Sequence, residues 1–230
     1  MGETRTLHVG IIPDGTRRWA TRHLRGPLWD GHEAGEKTEE ILFHLADHYP
    51  TVRDVTIWAM SVENFQRSRR DQERVFQLLV TFLARTATRE RAQARLSVVG
   101  SMWQAVPADL RQAIADAQQR TQHYAERRLT IGLGYGGQQE IVHAAACVAQ
   151  QSQTGKPPDL TAAFEQSLLV PRPLDLVIRT GGEQRLSGFC LYQAAYAELF
   201  LVETLWPDFT VAELDRLMAE FARRERHFGR

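Results

Sequence analysis

Short apolar runs bounded by turn residues recur along the chain: HVGIIP (8–13), DVTIWAM (54–60), RLSVVG (95–100), RLTIGLG (128–134), DLVIRT (175–180) and ELFLVE (198–203). Runs this short and this continuously apolar predict strands buried on both faces. Between them the apolar spacing changes to three and four residues. It is clearest over 70–92, where Val75, Leu78, Leu79, Phe82 and Leu83 form one stripe. Helices are also predicted over 33–49, 107–124, 138–152, 160–169 and 210–226. Strand and helix alternate from end to end, which predicts one α/β domain over 1–230, with a mainly parallel sheet flanked by helices. Such sheets bind ligands at the carboxyl ends of their strands. The polar stretch QSQTGKPPDL (151–160) predicts a surface loop rather than a domain boundary.

Composition narrows the function. With 230 residues, 43% of them hydrophobic, the chain can build one large core. Its 28 basic and 28 acidic residues cancel, so no global field argues for nucleic acid or an anionic membrane, and any anion site must be local. Two cysteines set far apart in apolar stretches, Cys147 and Cys190, fit a reduced cytoplasmic chain better than a disulfide scaffold. No run approaches the ~20 apolar residues of a membrane span.

Local chemistry gathers where three runs end. In PDGTRRWA (13–20) a strand meets a tight turn and then a helix start. Free backbone N–H groups at a helix start attract phosphate, Gly15 permits close approach, and Arg17 and Arg18 add charge-assisted contacts. Asp14 suits Mg²⁺ held against a phosphate. Lying between a strand end and a glycine, it should bury little, so its loss is expected to cost catalysis rather than stability. A second strand runs into IRTGGEQRLS (178–187), where Arg179, Arg185 and Ser187 surround a glycine turn and form a second anion site. A third ends in MSVENFQR (60–67), with Ser61, Glu63, Asn64 and Arg67.

In these stretches, and in DGHEAG, GYGGQQEIV, YAELFLVETLWPDF and the tail RRERHFG, the chain resembles the cis-prenyltransferases, the undecaprenyl diphosphate synthase family. The resemblance runs from residue 8 to residue 229. It implies a homodimer with a six-stranded, largely parallel sheet. The implied enzyme is Mg²⁺-dependent and condenses an allylic diphosphate with isopentenyl diphosphate to give a Z double bond. It implies no nucleic-acid partner, and membrane contact only peripherally, through a lipid product. Carried over, Asp14 matches the catalytic, metal-associated aspartate. Gly15 and Arg18 match the allylic diphosphate cradle, with Thr16 and Arg17 beside them. Arg179, Arg185 and Ser187 match the grip on isopentenyl diphosphate, with Ser61 and Arg67 nearby. His32 and Asn64 match residues that handle phosphate or proton transfer, and Glu198 matches a second Mg²⁺ contact. Arg224, Arg226 and Gly229 match a tail that reaches the partner's active site.

The chain also departs from the family pattern. Thr16 stands at a family asparagine, Leu28 at a family arginine with Arg25 in the same lengthened segment, Gly134 and Gly188 at asparagines, and Ser101 at an aspartate. In this family the growing chain lies between the sheet and the helix matching 70–92. Trp58 on the feeding strand, with Phe76 and Phe82 facing it, predicts a short product, unless strand alternation turns Trp58 to the sheet's other side. Two other readings stay open: irregular head-to-middle coupling of dimethylallyl diphosphate units, lavandulyl-type and cyclising or not, and a non-catalytic partner subunit. Glu63 and Trp19 read as structural. His44 and His48 have metal-ligand spacing but no third ligand, so no zinc is expected.

Overall fold

All six apolar runs are strands of one sheet: β1 (Leu7–Ile12), β2 (Val52–Ser61), β3 (Ala94–Val99), β4 (Arg127–Tyr135), β5 (Leu176–Arg179) and β6 (Glu198–Leu201). Their order is β3-β4-β2-β1-β5-β6, and every pairing is parallel. The helices are α1 (Thr16–Arg22), α2 (His32–His48), α3 (Arg69–Thr88), α4 (Ala108–Thr121), α5 (Gly137–Gln153), α6 (Leu160–Gln166) and α7 (Val211–Arg223). This is a computed structural model, and it describes residues 5–23, 32–88, 93–153 and 159–224. Arg25, Leu28, Arg226 and Gly229 lie outside the described residues, as does the side chain of His32.

Alternation along the strands sends side chains into two cores. Val9, Ile11 and Ile57 face the larger one, with Ile41 and Leu45 of α2, Phe82 and Leu83 of α3, and the apolar stripe of α7. Ile12, Tyr135, Val177, Phe189 and Cys190 form the smaller core on the opposite side. Trp58 belongs to the smaller one. Its ring lies 5.5 Å from that of Phe189, and its Nε1 donates to the Tyr135 carbonyl at 3.1 Å. The expectation that Trp58 walls a channel against α3 is therefore corrected. The two-residue period that puts Ile57 beneath α3 turns its neighbour away. Phe76 and Phe82 do lie on the α3 side, buried.

One buried histidine ties the amino end of the sheet together. The Nδ1 of His8 lies 3.2 Å from the carbonyls of Arg172 and Pro173, and its Nε2 lies 2.8 Å from Thr56 Oγ1. Carbonyls only accept, so the ring carries its proton on Nδ1 and accepts a hydrogen bond from the Thr56 hydroxyl at Nε2. Burial outweighs the nearby Asp54 charge and holds the imidazole down to about 4, from an ordinary 6.5. Between those values the unfolded chain binds a proton that the folded chain refuses, so stability falls as pH drops from 6.5 toward 4. The full shift corresponds to about 3 kcal/mol. Denaturant titrations of the wild type across this window should show that loss, and His8→Gln should flatten it. Parallel pH profiles for both proteins would contradict the assignment.

Candidate functional site

The site is built outward from Asp14, two residues beyond β1. Gly15 adopts φ 101°, and a methyl group there would stand 2.7 Å from Leu205, so only glycine fits. The turn it makes aims the Asp14 carboxylate back over the sheet's carboxyl edge, where Oδ1 accepts the Gly15 N–H at 2.6 Å. Three groups hold the Asp14 carbonyl and its neighbourhood: the Thr180 hydroxyl donates to it at 2.8 Å, the Trp206 N–H donates at 3.0 Å, and Trp19 Nε1 donates to Asp208 at 2.7 Å. Trp206 itself is buried and reaches Ala34 O and Thr38 Oγ1 of α2, both at 3.2 Å. The LWPDF stretch (205–209) thus clamps the Asp14 turn and α1 to the body of the protein, and Trp19 is the packing residue expected.

Arg179, the last residue of β5, is 4% exposed and lies beside Ile12 in the sheet register. One Nη donates to Asp14 Oδ2 at 2.7 Å. The other donates to Ser187 Oγ at 2.9 Å and to the Arg185 carbonyl. Its Nε is buried with no partner among the described residues. A planar fork is what joins a carboxylate on one strand to a loop on the next; a lysine could not span them. Burial would push the Asp14 carboxyl up. The hydrogen bonds from Arg179 and the Gly15 N–H, with the charges of Arg179 and Arg18, outweigh it and hold the group below its ordinary value. Arg18 stands 3.4 Å from Asp14 and 3.8 Å from Glu183, whose other oxygen takes Arg185 at 2.5 Å.

The third strand end closes the site. Ser61 Oγ accepts the Asn64 N–H at 3.3 Å, and Asn64 Oδ1 accepts the Ser61 N–H at 3.4 Å, a reciprocal cap that starts the 3₁₀ turn Glu63–Gln66. The turn delivers Arg67 toward α1. Burial lowers the Arg67 guanidinium most, Arg17's charge lowers it further, and Asp71 and Asp14 oppose them. Arg67 therefore shares a field with Arg17 and Asp14, which belong to the other strand end. Two like charges in one field, Arg67 half-buried and Arg17 exposed, suit an anion between them.

The structure brings together Asp14, Gly15, Thr16, Arg17, Arg18, Ser61, Asn64, Arg67, Arg179, Arg185 and Ser187. It does not bring Glu198 to them within one chain. Glu198 begins β6 opposite Leu176, at the far end of β5 from Arg179, and its carboxylate is taken by Arg224 at 2.7 Å. Arg224 also lies 4.2 Å over the Phe200 ring. Among the described residues no cluster of three metal-ligating side chains occurs, and Asp14, Glu183 and Glu203 are the carboxylates at this edge of the sheet. A hard cation held by one carboxylate and by the oxygens of a bound diphosphate needs no fuller cage. His44 pairs with Asp215 of α7 at 2.7 Å, and the neighbouring Tyr49 hydroxyl donates to the same oxygen at 2.6 Å, a tie between helices. Thr180, Glu183 and Glu203 belong to the site although the sequence did not single them out. A methyl group at Gly182 would stand 2.5 Å from Glu203 Oε2. Gly134 has φ 60° and is packed on Met102 and Phe65, which leaves no room for a side chain.

Residues 12–229 match the family model described as putative undecaprenyl diphosphate synthase. A tritrans,polycis-undecaprenyl-diphosphate synthase (geranylgeranyl-diphosphate specific) of Pyrococcus horikoshii is 39% identical over 97% of this chain and 86% of its own. A ditrans,polycis-undecaprenyl-diphosphate synthase ((2E,6E)-farnesyl-diphosphate specific) of Pseudomonas syringae is 36% identical over 97% and 90%. Among solved structures, lavandulyl diphosphate synthase from Lavandula x intermedia, in complex with dimethylallyl diphosphate, superposes with a TM-score of 0.86 at 33% identity, covering 97% of this chain and 98% of that one. A probable undecaprenyl diphosphate synthase from Campylobacter jejuni gives 0.80 at 25% identity, covering 99% and 100%.

The geometry argues against one expectation drawn from the sequence, that loss of Asp14 leaves the fold intact: Asp14 is the counter-charge of a buried arginine, so its removal is expected to cost stability. Asp14→Ala should lower unfolding free energy by about 2 kcal/mol, with Asp14→Asn losing less because an amide oxygen still accepts. Denaturant melts read this directly. Unchanged midpoints for Asp14→Ala would show that Arg179 does not depend on the pair.

Proposed function

Because the chain belongs to the undecaprenyl diphosphate synthase family of prenyltransferases, we infer that it condenses an allylic diphosphate with isopentenyl diphosphate into a short Z-prenyl diphosphate. The observation that carries this reading is the gathering of five guanidinium groups at three adjacent strand ends: Arg179 and Arg18 on Asp14, Arg67 in the field of Asp14 and Arg17, and Arg185 on Glu183 beside Arg18. They form two anion cradles with Asp14 between. The allylic diphosphate takes the Gly15–Arg18 side, and the isopentenyl diphosphate takes the Arg179–Ser187 side.

The chemistry follows from that arrangement. The allylic C–O bond breaks, its electron pair leaves with diphosphate, and the alkene of the acceptor attacks the carbon left electron-poor. A proton is then lost from the acceptor as the new double bond forms. Arginines placed where the negative charge grows stabilise the departing diphosphate without reorganising. Mg²⁺, held by Asp14 with diphosphate oxygens, would supply further charge stabilisation. Arg179 keeps Asp14 ionised for that task and orients it. Ser187 and Arg185 fix the acceptor, and Asn64 and Ser61 hold the turn that carries Arg67.

The same reading makes the protein a cytoplasmic homodimer. Among the described residues no helix is long and apolar enough to cross a membrane. Tyr196 is 76% exposed and Leu199, on the edge strand β6, is 41% exposed. Two apolar side chains beside an open strand edge suit burial against a second copy. Phe76 and Phe82, buried between α3 and the sheet, limit product length by their bulk. A second reading, head-to-middle coupling of two dimethylallyl diphosphates, is favoured by the superposition on lavandulyl diphosphate synthase and by Thr16 at a cradle position.

Purified protein, Mg²⁺ and defined diphosphate pairs, with the dephosphorylated products read by mass spectrometry, test both. With isopentenyl diphosphate in excess the products should end by about C20, since overfilling a packed channel is poorly tolerated. Products beyond about C30 would show that Phe76 and Phe82 yield. A ten-carbon product from dimethylallyl diphosphate alone would establish the irregular coupling instead.

A further inference from the structure

Beneath the loop that carries Ser187 lies a buried carboxylate for which the site chemistry has no use. Glu140, in the first turn of α5, is 1% exposed. Its oxygens accept three hydrogen bonds, from the Tyr135 hydroxyl at 2.6 Å, the Gln193 amide at 3.1 Å and the Val170 N–H at 2.9 Å. No ion pair reaches it among the described residues. Cys190 is buried in the same small core as Tyr135, whose hydroxyl proton goes to Glu140. Burial first, and then the neighbouring charge and hydrogen bonds, push Tyr135 up; burial does the same to the Cys190 thiol. Both therefore stay protonated, and Tyr135 keeps donating to Glu140.

This network is coupled to the diphosphate cradle through a strained loop. Ser187 and Cys190 adopt φ of 53° and 42°, with Gly188 between them at 94°. Non-glycine residues hold left-handed conformations only where their surroundings over-determine them. Here the restraints come from both ends. Arg179 takes Ser187 Oγ at 2.9 Å, the Gly188 carbonyl accepts the Gly137 N–H at 2.7 Å, and Phe189 packs on Trp58. Gln193 is fixed by Glu140 and by the Val170 carbonyl at 2.8 Å, and the Cys190 carbonyl accepts the Ala194 N–H at 2.8 Å. Gln193 Oε1 has no partner among the described residues, so the amide's orientation comes from its two donated bonds.

We propose that Glu140 is a positioning residue for the acceptor diphosphate: through Gln193, and through Tyr135 in the core it shares with Phe189 and Cys190, it holds the 187–193 loop in the strained form that presents Ser187 to Arg179. This rests on the assignment of the acceptor to the Arg179–Ser187 cradle. Glu140→Gln is the informative change, because an amide offers one oxygen to three donors. Whichever way it turns, its NH₂ faces either the Val170 N–H or the Tyr135 and Gln193 pair.

The test compares wild type, Glu140→Gln, Tyr135→Phe and a control, Leu110→Ala, whose fully buried side chain belongs to the core on the other side of the sheet. Melting temperatures are measured beside steady-state kinetics. Glu140→Gln should raise the isopentenyl diphosphate KM about tenfold or more, with the allylic KM and kcat changed less than about threefold. Tyr135→Phe should show the same split more weakly, and it answers the question alone if Glu140→Gln does not fold. Leu110→Ala should lose stability without moving either KM. Variants at Glu140 and Tyr135 that lose stability but keep the acceptor KM would overturn the proposal, as would an equal rise in both KM values. If the wild type does not turn over this substrate pair, the functional reading fails by itself. The loop is then read by calorimetric titration with inorganic diphosphate, which Glu140→Gln should bind at least about tenfold more weakly and Leu110→Ala as the wild type does.

Discussion

The site depends on a single ion pair, Arg179 with Asp14. Arg179 is the last residue of one buried strand and Asp14 the first charged residue beyond its neighbour, and their contact of 2.7 Å crosses the two. A buried guanidinium without a counter-charge would be costly. The carboxylate beside it is in turn held ionised by that guanidinium. Each makes the other tolerable, and both are thereby left at the sheet's carboxyl edge. The other Nη of Arg179 then holds the 185–187 loop in place.

Around this pair, the fold supplies geometry and the surface supplies charge. Parallel strands place three loop ends side by side, and each contributes arginines from a different part of the chain. Nothing in the net charge of zero forecasts a strongly positive spot. It arises because Arg17 and Arg67 are brought into one field against their mutual repulsion. The protein offsets the cost of holding them with packing elsewhere: Trp206 and Trp19 lock the Asp14 turn, and the Ser61–Asn64 cap locks the turn before Arg67.

Much of this was legible in the sequence. Six continuous apolar runs gave six strands, because burial on both faces removes alternation. The helix periods placed α3 and α7 within a few residues. The strand-end motifs named most of the site, since a carboxylate, glycines and arginines at such positions have few other uses. What was not legible depended on register and on long-range contacts. Trp58 faces away from α3 because of a two-residue period that no sequence window fixes. Glu198 sits at the wrong end of a four-residue strand to meet Asp14, which only the register with β5 reveals. Thr180 and Glu203 look ordinary until the β5 and β6 loops are brought together, and the stability role of Asp14 was hidden because Arg179 lies 165 residues away.

The central claim is that Asp14 and Arg179 stand between two diphosphate cradles and serve both. A crystal structure with Mg²⁺, isopentenyl diphosphate and an unreactive allylic thiolodiphosphate tests it most directly. The account predicts the allylic diphosphate against Gly15–Arg18, the acceptor diphosphate against Arg179, Arg185 and Ser187, and the Asp14 carboxylate between them. Both diphosphates on one side of Asp14, or the acceptor held away from Arg179, would contradict it.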